Sequence, residues 1–330
     1  RHGRSQTVLQ LLAQMRADGL QPNSFCYNAA IGAVSRADKP RQAFDLMEEM
    51  EMEAIRLNDP SIAPTSHTYT AVLRSCAAVG QWRTAQRLLS KMIKDGHEPM
   101  AYHYGSVIEA CSRAGEVGKV MGFMKEMQSR GLDPDVKTFT TALVACAREN
   151  QLNRALSLVE RMYKLEVKPD VATYNVLLQA CGKQSKHAII EQLIVQMPQL
   201  GVEPNLVNYN TAVRSLAEGG EGSKVRGIWR TMVEREVEPT FSTYRAAING
   251  SCEGGHIDLA VSFLDELKAA GYQPDEHVQY ALLSTCGDEV RPFLERSLEC
   301  STAEVLERAW QRQQQYARQD GRGGYGRGGR

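Results

Sequence analysis

The chain has 330 residues, 42% hydrophobic and 24% charged, with 39 Lys+Arg against 39 Asp+Glu. That balance excludes a partner held by bulk charge, so an anionic ligand needs a local pattern to grip it. No run of about 18 apolar residues occurs, which excludes a membrane-spanning helix.

Residues 1–23 carry the apolar pattern of one helix, and the expectation is a chain that begins inside a repeating unit. A targeting segment would lie upstream of Arg1. From there a proline ladder sets the organisation: Pro22, Pro64, Pro99, Pro134, Pro169, Pro204, Pro239 and Pro274, with one interval of 42 and six of 35. Such self-similarity marks a repeat architecture. Five residues after each proline stands an aromatic, Tyr27, Tyr69, Tyr104, Phe139, Tyr174, Tyr209 and Tyr244, until Gln279 breaks the series.

Each aromatic opens a helical stripe. Tyr174, Leu177, Leu178 and Cys181 stand at i, i+3, i+4 and i+7, as do Tyr104, Val107, Ile108 and Cys111. A second stripe follows, as in Ala85, Leu88, Leu89 and Met92. Short breaks such as residues 113–116 separate the two helices, and a Gly-then-Pro stop such as residues 130–135 ends the unit. The periodicity therefore predicts an all-α solenoid of 35-residue helix–turn–helix repeats, wound as a right-handed superhelix with an extended concave face.

The units run 24–65 (with seven extra residues), 66–100, 101–135, 136–170, 171–205, 206–240 and 241–275. A degenerate unit, 276–300, follows. The extra residues near 51–63 predict a longer second helix or loop on the outer rim. Ser301 with Glu304 has the spacing of a capping box opening a terminal helix over 301–317. Residues 318–330, rich in Gly and Arg, predict disorder.

Cys76, Cys111, Cys146, Cys181 and Cys286 share one register, yet the chain has no Cys-x-x-Cys pair and no zinc-ligand spacing. Their place in the last turn of the apolar stripe marks them as small buried filler, and the row Met50, Met92, Met127, Met162, Met197 and Met232 fills the second helices likewise. No metal and no cofactor is expected.

The uniform period of 35, units opening like "VATYNVLLQACGK" and closing like "LEVKPD", resemble the pentatricopeptide repeat family of the plain type, over residues 1 to about 290. The resemblance implies single-stranded RNA as partner, about one base per repeat, each read by two or three side chains. It places the readers at the residue after the aromatic and the residue after the closing proline. The pairs are then Asn28 with Thr65, Thr70 with Met100, Gly105 with Asp135, Thr140 with Asp170, Asn175 with Asn205, Asn210 with Thr240, and Arg245 with Asp275. An ionised Asp only accepts hydrogen bonds and suits the donor edge of U or G, whereas an Asn amide suits C or A. Family preferences add G for Thr140/Asp170 and pyrimidines for the Asn-led pairs, a motif Y-n-n-G-Y-Y-n. Gly105, Met100 and Arg245 depart from the common pairs.

Two residues before the aromatic, where the family wedges against the base, stand Phe25, Tyr102 and Val207, but also Lys137 and Ser242. Nine residues after it stand Arg36, Arg113, Arg148 and Lys183, candidates for phosphate contact. In the tail, Arg322, Tyr325 and Arg327 offer charge and stacking to RNA without sequence preference.

Deaminase-type tails need His-x-Glu with Pro-Cys-x-x-Cys, and neither occurs. The expectation is a non-catalytic, monomeric RNA binder of a plastid or mitochondrion, acting in RNA processing, stabilisation or translation. The alternative is a helical scaffold for protein partners, with which zero net charge agrees.

Overall fold

The computed structural model describes residues 2–308 and 311. They form helices throughout, with no strand among the described residues. The chain divides after Pro169 into two compact units.

The first unit contains α1 (His2–Ala17), α2 (Ser24–Ser35), α3 (Pro40–Leu57), α4 (Ser66–Val79), α5 (Trp82–Lys94), α6 (Ala101–Arg113), α7 (Val117–Ser129), α8 (Val136–Arg148) and α9 (Leu152–Lys164). Here α2, α4, α6 and α8 lie side by side, and α3, α5 and α7 each pack against the first helix before and the first helix after them. The second unit repeats the scheme with α10 (Val171–Lys183), α11 (His187–Gln199), α12 (Leu206–Glu218), α13 (Gly222–Glu234), α14 (Phe241–Glu253), α15 (Ile257–Ala269), α16 (Glu276–Thr285) and α17 (Arg291–Leu298). In it α10, α12, α14 and α16 form the row of first helices.

The cores are the stripes read from sequence. The aromatics Tyr27 to Tyr244 are buried, as are Cys76, Cys111, Cys146 and Cys181, and Met50, Met92, Met127, Met162, Met197 and Met232 are wholly so. Burial pushes the thiols of Cys76, Cys111 and Cys181 up to about 11, the behaviour of inert packing groups. Two of the buried rings pair their hydroxyls with a carboxylate, Tyr104 donating to Glu126 at 2.8 Å and Tyr69 to Asp95, whereas the Tyr209 hydroxyl is buried without a partner among the described residues. Burial, aided by that carboxylate, pushes the Tyr104 phenol up to about 12.

The turn that closes each repeat contains a left-handed residue. Gly131 and Gly271 supply it with φ of +74° and +82°, while Glu166 and Glu236 occupy the same register at 57° and 59°. That conformation is uncommon for a residue with a side chain and is held here by the helix C-terminus before it. Glycine matters most in the second unit, at a close approach. A Cβ on Gly250 would lie 2.3 Å from the carbonyl oxygen of Arg214, and one on Gly254 1.8 Å from that of Glu218. The first helices α12 and α14 therefore pack backbone to backbone there.

The seven extra residues extend α3 to Leu57, where Asn58 ends it in the left-handed region at φ 48°. A 3-10 turn, Pro60–Ile62, follows, and its Asp59 cap accepts from the Ser61 N–H at 2.9 Å. Lys91 on α5 reaches Glu51 on the extension at 2.7 Å. At the other end α16 is shortened: Cys286 is buried in its register but serves as the C-cap with an extended backbone, not as the last turn of the helix. A further helix occupies 302–308. The Thr302 N–H that opens it donates to the Glu295 carboxylate at 2.8 Å, so the Glu304 capping box expected from sequence is not the contact made at that N–H. The expected extent of this helix beyond 308 lies outside the described residues, apart from Gln311.

Candidate nucleic-acid interface

In each repeat the residue before the first helix is its N-cap: Thr65, Met100, Asp135, Asp170, Asn205, Thr240 and Asp275 all have extended backbone there. Thus the second proposed reader has a structural duty. Asp135 Oδ1 accepts from the Thr138 N–H at 2.8 Å and from its hydroxyl at 2.6 Å, and Asp170 holds Thr173 in the same way. An acceptor at this place satisfies an orphan helix donor and suits the positive helix end. Only one carboxylate oxygen is used, so the other stays available.

The residue before the aromatic closes the arrangement from the helix side. Thr68, His103, Thr173, Asn208 and Thr243 each accept from the backbone N–H of the cap, at 3.1, 2.9, 3.4, 3.1 and 3.1 Å. This is one half of a capping box, built with a buried side chain in each case. The repeat pattern by itself gives these residues no contact. Their signal was a polar residue recurring just before the buried aromatic.

The first readers lie one position past the aromatic and are half-buried in every repeat from Asn28 to Arg245, whereas the caps from Thr65 to Asn205 are exposed. Several readers bond to the next first helix. Asn28 accepts from Thr68 at 2.7 Å, Thr70 meets His103 Nε2 at 3.0 Å, Asn175 accepts from Thr211 at 3.0 Å, and Asn210 donates to Ser242 at 3.0 Å. The Asn210 carbonyl oxygen is buried with no protein partner. Thr140 donates to the Val136 carbonyl at 2.8 Å. Arg245 reaches Asp275 at 3.5 Å, so this pair is closed on itself by charge.

The wedge candidates are exposed: Phe25 at 79%, Tyr102 at 49% and Val207 at 54%. Apolar groups of that size left in water on a helix N-terminal turn have nothing in the core to pack on. Of the phosphate candidates, Arg36, Arg148 and Lys183 are exposed and carry no ion pair among the described residues. Arg113 differs: it donates to Glu109 at 3.0 Å and to the Ala78 carbonyl at 3.2 Å, which ties it to its own scaffold. Arg322, Tyr325 and Arg327 lie outside the described residues.

Grooves run between neighbouring first helices. One of about 740 Å³ is lined by Thr70, Arg74, Tyr102, Gly105, Asp135 and Lys137 among others. A second of about 310 Å³ shares Thr70 and Arg74 and adds Arg36 and His67. In the second unit a groove of about 430 Å³ gathers Asn210, Arg214, Ser242, Arg245, Asn249 and His277. Arg74, which the repeat pattern did not single out, stands one helical turn after Thr70 on the same face, lines both grooves of the first unit and has no ion-pair partner among the described residues. Among those residues no group of three His, Cys, Asp or Glu side chains stands close enough to hold a metal ion, and no helix is long and apolar enough to cross a membrane.

Helix pairs repeated at one period, with polar caps and readers at a fixed register of the first helices, define an α-solenoid of the superhelical-repeat class. Family models agree along most of the chain: the pentacotripeptide-repeat region of PRORP matches residues 5–143, the pentatricopeptide repeat domain 123–184, the PPR repeat family 169–218, and the PPR repeat 242–272. The chain belongs to the pentatricopeptide repeat family. Comparison with curated proteins gives no match. Among solved structures it is similar to the pentatricopeptide repeat protein PPR10 from maize, at 25% identity and TM-score 0.57 over 84% of this chain. The match covers 43% of the maize chain, so this chain spans less than half the length of that relative. PPR10 in complex with an 18-nt psaJ RNA element matches at 22% identity and TM-score 0.49, over 91% of this chain and 49% of that one. The PPR domain of protein-only RNase P 1 from Arabidopsis thaliana, in complex with tRNA, matches at 18% identity and TM-score 0.46, over 54% of this chain and 94% of that one.

Proposed function

We propose that this chain binds single-stranded RNA along the edge formed by its first helices, about one base per repeat, and serves organellar RNA processing, stabilisation or translation by occupying a transcript. One observation carries the reading: half-buried polar side chains recur at the first reader register, as Asn28, Thr70, Thr140, Asn175, Asn210 and Arg245, and at the cap register Asp135 and Asp170 give only one carboxylate oxygen to the helix. Capping accounts for the polar group at the second place, but core packing has no need of one recurring at the first. Exposed Phe25, Tyr102 and Val207 give bases a surface to stack or wedge on, and Arg36, Arg74, Arg148 and Lys183 supply charge for phosphates. The family and the RNA-bound state of its member PPR10 support the ligand class. Plastid or mitochondrion as the compartment rests on the family alone.

The test is selection from a randomised single-stranded RNA pool, with the chain intact and with residues 318–330 removed. Enrichment of a short motif holding G followed by two pyrimidines, kept without the tail, supports reading by the repeats. Binding that has no motif and disappears with the tail overturns it and turns the search to protein partners on a helical scaffold. Titration in salt separates the same two cases, because phosphate contacts make affinity fall steeply with added salt.

A further inference from the structure

We propose that His103 is a positioning residue that fixes the Thr70 hydroxyl as a hydrogen-bond acceptor, so that this repeat takes a base presenting an amino group, adenine before the others. The inference rests on the RNA-binding reading and adds a base assignment to a repeat whose pair, Thr70 with Met100, follows no common combination.

His103 is wholly buried in the first turn of α6. Its Nδ1 lies 2.9 Å from the Met100 N–H, which can only donate, so Nδ1 carries no proton and the neutral ring holds its hydrogen on Nε2. Nε2 lies 3.0 Å from Thr70 Oγ1 and donates to it, with the Ser66 carbonyl as a second acceptor within the ring's reach. Thr70 Oγ1 also lies 2.7 Å from the Ser66 carbonyl, which can only accept. The single hydroxyl proton of Thr70 therefore goes to Ser66, one lone pair receives the imidazole, and one lone pair is left for a ligand. Burial pushes the His103 pKa down, which keeps the ring in this neutral, one-directional state.

No other repeat carries a histidine at this place, and Asn208, which also accepts from its cap N–H, donates to the Val171 carbonyl and not to a reader. Where a hydroxyl stands at the same place, it rotates and donates: Thr68 gives its proton to Asn28, and Thr138 gives its proton to Asp135. An imidazole with one nitrogen committed to a backbone N–H cannot reverse. His103 thus joins the two readers of one repeat, the Thr70 hydroxyl and the Met100 backbone, and sets the polarity of the first.

The base follows from what the pair offers. Thr70 lines grooves on both sides and supplies an acceptor, while Met100, 55% exposed, supplies no polar partner of useful strength. Guanine and uracil bring carbonyl oxygens that would lie against the thioether unpaired, and cytosine brings a carbonyl beside its amine. Adenine donates from its amine and leaves the fewest acceptors unsatisfied. Tyr102, whose ring centroid is 4.1 Å from that of His103, adds an exposed face for stacking next to the site.

The experiment measures affinity of the full chain for four RNAs that differ only at the base opposite this repeat, within the sequence enriched from the pool. Parent protein is compared with His103→Thr, which copies Thr68, and with His103→Asn, which copies Asn208 at the same register. The parent is expected to favour adenine over uracil by about tenfold, the worth of one hydrogen bond of correct against incorrect polarity. His103→Thr frees the hydroxyl to reverse and should bring the two bases to within about twofold, with base preferences at the other repeats unchanged. Thr70→Val, with His103 in place, should lose the preference as well and checks the assignment if a His103 variant folds poorly. Retention of the adenine preference in both His103 variants, or its absence from a parent that discriminates at other repeats, overturns the proposal alone. A parent that binds no RNA overturns it together with the function on which it rests.

Discussion

Asp135 stands where helix stability and base recognition meet, and two substitutions separate them. Its Oδ1 accepts from the Thr138 N–H at 2.8 Å and the Thr138 hydroxyl at 2.6 Å. Asp135→Ala removes both acceptors, leaving an orphan helix donor and a buried hydroxyl without its partner. Loss of an N-cap costs about 1 kcal/mol and the hydroxyl bond adds up to about 1 kcal/mol more, for a total of about 1–2 kcal/mol. Asp135→Asn keeps an oxygen in the capping place, as Asn205 does when it accepts from Val207 and Asn208, so it should cost less than about 0.5 kcal/mol. The other carboxylate oxygen becomes an amide, and the base opposite this repeat should move from one with a donor edge, U or G, toward C or A. Urea unfolding followed by far-UV circular dichroism reads the first effect, and binding to RNAs varied at that base reads the second. Equal destabilisation by Asn and Ala would refute the capping assignment. An unchanged base preference in a stable Asn variant would refute the reading role.

Three further outcomes are expected. Gly254→Ala places a Cβ 1.8 Å from the Glu218 carbonyl oxygen, so α14 must shift from α12 at a cost of at least about 1–3 kcal/mol, visible as a lower urea midpoint; Gly118→Ala, with open space around it, serves as the control. Native protein treated with iodoacetamide at mildly alkaline pH should be labelled first at the half-exposed Cys26 and Cys300, and at the buried Cys76, Cys111 and Cys181 only after unfolding, as peptide mass mapping would show. His103 has a native pKa below its ordinary value of 6.5, so the unfolded chain binds the extra proton more readily. Its contribution to stability is complete above that value and declines as pH falls below it toward the lowered native pKa, a dependence that His103→Thr should remove from the pH profile of the urea midpoint.

The core was legible in the sequence because its signal is local. A stripe such as Tyr174, Leu177, Leu178 and Cys181 depends only on the 3.6-residue turn, and the same four positions are buried in the folded chain. The proline and glycine stops work equally locally, through the backbone each residue permits. For the candidate interface the register of readers, caps and wedges came from the period and from the family resemblance. What those residues touch did not follow. Arg113 and Arg148 occupy equivalent places, yet only Arg113 is tied to Glu109 and to the backbone of the preceding repeat. Arg245 stands in a reader's place and is held by Asp275.

The sequence by itself determined the helix pair, its period, the buried row of aromatics, cysteines and methionines, and the family. Only the tertiary structure decided how neighbouring first helices meet: the contact of α12 with α14 at Gly250 and Gly254, the linkage of Thr70 to Met100 through His103, and the double use of Asp135 as cap and candidate reader. The physical reason is distance along the chain. A period of about 3.6 residues is written within one helix, but a hydrogen bond of 3 Å between residues some 33 apart depends on how closely two helices approach, and that is set by all the side chains packed between them at once.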